Sequence, residues 1–507
     1  MGLNKSSRVE NASKNAVSAF VCKIIVLFFT FVSRRIFIRY IGLEYLGING
    51  LFANVLTLLS MADLGLGTAL NVSLYRPIAQ NDTKKITALL NYFRTIYTYI
   101  AIGVTVVGVG LVPFLKYLVN MESNIPNLYL FYFIFIIKNT VSYVFVYKSS
   151  LIRADQRTYI INRFEIIIFL IKTVLQIFII IAFKSYLGYI VLDVLGIFVQ
   201  NVLLSYKSDK DYPFITEQYE LTANEKKYVF SDVSSVFIYK VAWCLLNGTD
   251  NILMSVICGT IYVGLYSNYY TITNSLDVFI GILFSSLTAS VGNLIATSTE
   301  EKSYSTFKTM QMISFWICGI VVTVLLFIMQ DFIQIWLGKK LLLDNLTVIA
   351  IVINVFFSNC MRPVWTYREG TGMYRQIRYI MLITAIVNLI LSILLGKIMG
   401  LSGIIFATSI SKFITYFWYE PNILFSQFFN VKPIHYYIQY VINVFIMLVS
   451  IGMCYYALYS FKQINIINLF FKIVICFSIV TCVYYLRYRK TEEFTILKSK
   501  IISIIRK

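Results

Sequence analysis

Apolar runs of about twenty residues recur along the whole chain, separated by short polar breaks. That rhythm matches helices long enough to cross a hydrocarbon layer. The runs predict twelve spans in two sets of six, at about 15–41, 47–72, 89–118, 127–147, 160–183 and 187–206, then 229–258, 262–295, 309–337, 341–361, 379–398 and 401–424. Two more follow at about 435–459 and 465–486. Proline is scarce, and the ten-residue alternating strands of a membrane barrel do not recur. The predicted fold class is an all-α polytopic membrane protein with about 14 transmembrane helices. The first apolar run is too long for a signal-peptide core and lacks a small-residue cleavage motif, so it reads as a retained span.

The two sets of six repeat one another. Shifting the chain by 217 positions lays Tyr45-Leu46-Gly47 on Tyr262-Val263-Gly264, Gly42 on Gly259 and Lys23 on Lys240, with Asn251 falling where Arg34 was. A shift of 215 lays Gly188 on Gly403. The expected organisation is a six-helix bundle at 1–206, a polar linker at 207–228, a second bundle at 229–424, and two extra helices with a basic tail at 425–507. Six spans separate the repeats, so the halves share orientation. This implies a pseudo-twofold axis along the membrane normal and two bundles around a central cavity, the architecture of a transporter.

Composition agrees: 58% of the 507 residues are hydrophobic and 13% charged, with a mean hydropathy of +0.75. The net charge of +20 sits in loops, which argues against nucleic acid as a partner. Lys and Arg collect after even-numbered spans and in both tails, which predicts cytoplasmic termini for a multi-pass cell-membrane protein. The loop after span ten is strongly basic, with Arg362, Arg368, Arg375 and Arg378. Eight cysteines fall in apolar runs without CxxC pairs and read as small buried hydrophobes, so no metal is expected. The single histidine, His435, opens span thirteen and reads as a surface residue. No P-loop, zinc spacing or Gly-x-Ser-x-Gly elbow is present, so no catalytic residues, no cofactor and no enzyme activity are expected.

The opening hairpin carries a family likeness. Arg34-Arg35-Ile36-Phe37-Ile38-Arg39-Tyr40-Ile41-Gly42, Glu44-Tyr45-Leu46-Gly47 and Ala62-Asp63-Leu64-Gly65-Leu66-Gly67-Thr68-Ala69-Leu70 resemble the polysaccharide transporter family, the Wzx-type flippases of the multidrug, oligosaccharidyl-lipid and polysaccharide (MOP) superfamily. The resemblance implies transbilayer movement of an undecaprenyl-diphosphate-linked oligosaccharide, a capsule, O-antigen or exopolysaccharide unit, with polysaccharide polymerase or export machinery as partners. One departure is that the arginine expected shortly after the Asp-Leu-Gly run is delayed to Arg76.

Such a cargo needs cations for its diphosphate and donors for its sugars. Lys23 and Arg34 lie eleven residues apart, three helical turns, and share a face; with Lys240 they are the candidate diphosphate ligands. Snorkelling toward opposite interfaces is the competing reading of Lys23 and Arg34. Asn247 and Asn251 join the Lys240 stripe. Tyr266, Tyr270 and Asn274 share a face at i, i+4, i+8, where they can stack on and bond to sugars or belong to an interfacial aromatic belt. Asp63 and Asp277 can couple transport to Na⁺ or H⁺, or pair with Lys23 and Lys240. A peptidoglycan or teichoic precursor flippase and a multidrug or cation exporter remain alternatives. The exporter predicts acidic stripes where these are basic. An integral-membrane polymerase would carry a large outer loop that is missing here.

Overall fold

The computed structural model describes residues 8–60, 66–120, 125–226 and 233–505. Among them a helix lies at each predicted span, and ten helices, or eleven if one bent pair is counted as a single span, are long and apolar enough to cross a membrane. They are α1 (Arg8–Tyr40), α2 (Leu43–Leu59), α3 (Leu66–Gln80), α4 (Thr83–Gly110), α5 (Leu128–Tyr143), α6 (Val146–Ala154), α7 (Thr158–Phe183), α8 (Tyr186–Asp211), α9 (Val233–Cys258) and α10 (Thr260–Thr297). There follow α11 (Glu300–Leu337), α12 (Asn345–Cys360), α13 (Arg362–Thr371), α14 (Tyr374–Met399), α15 (Leu401–Ile414), α16 (Tyr416–Gln427), α17 (Ile434–Leu458), α18 (Ile466–Tyr488) and α19 (Glu492–Ile505). By internal packing they form two compact units, Met1–Gly264 and Leu265–Lys507.

In the first unit α1 packs on α7, α7 and α5 on α8, α4 on α5, and α2 on α9. Contact therefore groups α9 with the first unit, whereas the sequence repeat assigns its residues to the second set of spans. Aromatic rings fill the core, as where Phe52 meets Tyr132 edge-on at 5.1 Å. The fourth span is broken: α5 and α6 meet at 43°, where Phe145 takes a left-handed φ of 67° that a bulky side chain adopts only under constraint.

The stretch expected as a linker begins as helix. α8 runs to Asp211, its last turn braced by Lys207 paired to Asp211 at 2.7 Å, four residues on. The chain then lies along α4 as a strap. Asn91 donates to the carbonyls of Glu217 and Tyr219, and Lys85 bonds Glu225. That lysine, helped by the Thr222 backbone N–H, holds the Glu225 carboxyl down at about 2.

The repeat is visible at atomic scale in the turn that opens α2 and the turn that joins α9 to α10. Gly42 has φ 110° and its counterpart Gly259 has φ 111°, a conformation that L side chains rarely adopt. The two turns touch reciprocally. A Cβ on Gly47 would lie 2.2 Å from the Thr260 carbonyl oxygen, and one on Gly264 would lie 2.7 Å from that of Leu43. Leu43 and Thr260, like Gly47 and Gly264, are related by the 217-residue shift, so the contact is self-complementary in the manner of a twofold interface. Hydrogen bonds tie this turn to the end of the third span: Thr260 N–H donates to Asn120 O at 2.8 Å, and the Ser255 hydroxyl to Leu118 O at 2.6 Å.

In the second unit α11 is the hub, packing on α12, α17 and α18, while α14 packs on α15 and α15 on α12. Gly403 lets α15 close on α14, since a Cβ there would lie 2.1 Å from the Leu395 carbonyl oxygen. Its repeat counterpart Gly188 plays the same part, 2.8 Å from Ile179 on the packed α7–α8 pair.

Gly47→Ala should therefore lower the thermal midpoint of the purified protein, at a cost of ~1–3 kcal/mol by overpacking. Gly103→Ala, with nothing within 4 Å of its Cβ, should be neutral or stabilising. Equal midpoints for the two variants would contradict the close contact.

Candidate functional site

In the first unit the predicted basic face of α1 exists. Lys23 and Arg34 lie about 20° apart around the helix axis at roughly 100° per residue. Lys23 is exposed and makes no ion pair among the described residues. Arg34 is half-buried beside the phenol of Tyr189, whose ring packs on Phe37 at 4.9 Å. On α9, Lys240 and Asn251 are both half-buried and share a stripe bordering the face that packs on α2, where Gly248 meets Leu58 and the Cys244 thiol reaches Thr57 O. Asn247 falls on the same stripe by register. Asp63 lies outside the described residues.

Several intramembrane charges away from these positions are matched. Asp193 on α8 takes Lys172 of α7 at 2.6 Å and also Lys138 of α5, so one carboxylate joins three helices. Lys412, buried on α15, donates to Asn354 and Ser358 of α12. Lys472 on α18 holds Asp331 of α11 at 2.6 Å. Burial of such groups is tolerated because each finds an opposite charge or a fixed acceptor.

The second unit holds the most informative group. On α10, Tyr266, Tyr270, Asn274 and Asp277 lie within about 80° of one another around the axis. Tyr270 and Asn274 are exposed, and the Tyr266 and Tyr270 rings sit 6.1 Å apart. Their neighbours on the other side of the helix belong to the core: Asn268 is fully buried, and the Tyr269 hydroxyl donates to Gln330 and accepts from the Leu343 N–H at 3.0 Å. The polar run of α10 thus divides into a structural side and an open side.

Asp277 is paired within its own unit. Its partner is Arg362, which donates to the Asp277 carboxylate at 2.6 Å and to its backbone carbonyl at 3.0 Å, while Nε donates to Asn359 at 3.1 Å. Gly281, one turn beyond Asp277, makes room for the guanidinium, since a Cβ there would lie 3.2 Å from it. The expected basic loop after span ten is corrected accordingly. Helix continues past a break at Met361, so Arg362 and Arg368 lie on α13 directly after the apolar α12 rather than in a loop, and Arg375 and Arg378 begin α14. Pro363, in the first turn of α13, is the cause: its ring cannot continue α12 but is well placed to start a new helix. In a buried pair, Arg368 Nη1 donates to both carboxylate oxygens of Glu420, at 3.1 and 3.2 Å. Arg362 escaped the sequence reading because its charge marked a loop. The Arg-Pro dipeptide after the helix end was the available signal.

This packing can be compared with known structures. The fold is similar to that of solved transporters of the MOP superfamily. The structure of the lipid II flippase MurJ in an inward closed conformation matches with a TM-score of 0.69 at 16% identity, covering 94% of this chain and 98% of that one. An inward-facing multidrug resistance MATE family transporter matches at 0.59 and 13% identity, over 80% and 97% of the two chains. A MOP superfamily transporter from Pyrococcus furiosus matches at 0.56 and 13%, over 82% and 96%. These neighbours are transporters and flippases, and at such identities the likeness is one of fold. No family profile and no curated protein matches the chain by sequence.

Asp193→Asn should strand two lysines between α5, α7 and α8 and cost ~3 kcal/mol, whereas Lys138→Met leaves the Lys172 pair and should cost much less. Thermal unfolding of the purified variants checks this, and a smaller loss for Asp193→Asn than for Lys138→Met would contradict it.

Proposed function

We propose that this chain is a flippase moving an undecaprenyl-diphosphate-linked oligosaccharide, a unit of a capsule, O-antigen or exopolysaccharide, between leaflets of the bacterial cytoplasmic membrane by alternating access. The observation that carries the reading is Arg362, held at the end of the apolar α12 and paired to Asp277 on the open aromatic and amide face of α10. A guanidinium there matches phosphate oxygens in a fixed fork, and Tyr266, Tyr270 and Asn274 supply ring faces and donors for sugars. Lys240, Asn247, Asn251, Lys23 and Arg34, all of the first unit, are further candidate cationic and amide ligands for such a cargo in this reading. The MOP fold supports a carrier of this kind.

Asp277 gives the site a means of coupling. Its carboxylate and the cargo's phosphate compete for one guanidinium. A proton or Na⁺ taken by Asp277 releases Arg362 to the phosphate, and its loss restores the pair and expels the cargo. Asp63 is a second candidate for such coupling. Both termini are assigned to the cytoplasm from loop charge, and a polysaccharide polymerase or export assembly is the expected receiver.

One observation favours a second cargo. The likeness to the lipid II flippase is higher, at TM-score 0.69, than that to the MATE transporter, at 0.59, which favours a lipid-linked peptidoglycan precursor over a drug or cation. A teichoic precursor shares the same diphosphate chemistry. Basic side chains also suit an anionic cargo better than a cationic drug.

In a host whose surface-polysaccharide export depends on this chain, Arg362→Gln and Lys240→Gln should each reduce export by roughly ten-fold or more, the worth of a charge-assisted hydrogen bond, with membrane levels unchanged. Asp277→Asn should leave cargo binding intact and abolish its dependence on the ion gradient. Wild-type export by Arg362→Gln would remove that residue from the site, and rescue of peptidoglycan synthesis instead would select the second cargo.

A further inference from the structure

The second unit contains a separate cavity of about 300 Å³, walled by α11, α16, α17 and α18 and closed at one end by the start of α19. Its chemistry is lopsided. Lys308 of α11, Arg487 of α18 and His435 of α17 line it, against one carboxylate, Glu493 of α19. Glu493 is engaged by Lys308 at 3.5 Å, while Arg487 has no carboxylate partner among the described residues. The phenol of Tyr488 is already committed, donating to Asn443 at 2.8 Å.

A second, independent feature points to a missing acceptor. Gln311 lines this cavity, is 7% exposed, and its amide Nε2 makes no hydrogen bond. Native proteins rarely leave a buried donor unpaired unless a ligand or ordered water completes it. An unpaired amide donor, a guanidinium without a carboxylate and an imidazole at the rim together call for an oxyanion. The volume exceeds what a bare phosphate needs and leaves room for an ester substituent.

We infer that this cavity is a binding site for a phosphoryl group, carried either by a lipid headgroup at the membrane surface or by a soluble phosphate. Arg487 supplies the fork, Gln311 the buried donor and His435 the entrance, with Lys308 setting the local charge and holding α19 in place through Glu493. Neither the cargo nor the coupling proposed above enters this assignment, so either can fail without the other.

The test is the thermal midpoint of the full-length protein in detergent. One arm titrates inorganic phosphate against chloride at equal ionic strength, and the other adds phosphatidic acid against phosphatidylcholine in mixed micelles. A saturable rise with phosphate identifies a soluble source, and a rise with phosphatidic acid alone identifies a headgroup; both support the site. Arg487→Gln and Gln311→Leu should each weaken the half-saturating concentration at least ten-fold. Gln311→Leu should fold at least as well as the parent, because it removes an unpaired donor. His435→Ala, at an exposed position, gives a fold-neutral check with a weaker loss. No rise with either probe in the parent protein, or half-saturation unchanged in Arg487→Gln and His435→Ala, would overturn the inference.

Discussion

An ionised side chain inside hydrocarbon must meet an opposite charge or a fixed polar partner, and this requirement organises both units. Moving an unpaired charge into the membrane costs several kcal/mol even on lenient scales. Several carboxylates in spans are accordingly bound: Asp193 between two lysines, Asp331 to Lys472, Glu420 to Arg368 and Asp277 to Arg362. Most of these pairs are structural rivets between helices. Asp277 with Arg362 differs because it borders an open face, its carboxylate side chain being 43% exposed.

Helix breaks put the charges where they act. Pro363 ends one helix and begins another, which puts Arg362 at the start of a helix rather than in a loop. The left-handed residue Phe145 redirects α6 so that Lys148 reaches Asp209 on α8 at 2.7 Å. Glycines at 42 and 259 produce two matching turns whose carbonyls pack onto Gly47 and Gly264 with no room for a methyl group. Backbone irregularity in a membrane protein survives only where protein groups satisfy what it exposes, and hydrogen bonds from Thr260 and Ser255 to the end of the third span do so here.

Much of this was legible in the residue order. Span positions followed from apolar runs, and the 217-residue shift correctly matched Gly42 with Gly259 and Gly47 with Gly264 because those glycines answer to backbone conformation and close packing. Helical register likewise placed Tyr266, Tyr270 and Asn274 on one face. What escaped was pairing in three dimensions. Asp277 reaches a residue 85 positions away, a distance over which periodicity carries no information. Tyr269, bonded to Gln330 of α11, and the buried Asn268 are set apart from the open side by packing that register does not reveal. Arg362 was missed for a further reason, since positive charge beside proline is the ordinary mark of a loop.

Taken together, the unit built on α11 presents a cation paired to a part-exposed carboxylate, on a fold similar to that of a solved flippase. The account stands on that cation serving the phosphate of a lipid-borne cargo. The most direct measurement compares transbilayer movement of two fluorescent lipids by the protein reconstituted in vesicles, one carrying its saccharide on a diphosphate and the other on an uncharged linker. The account predicts rapid movement of the diphosphate lipid alone, slowed when inorganic pyrophosphate is present on the entry side. Equal movement of both lipids, or of neither, would contradict it.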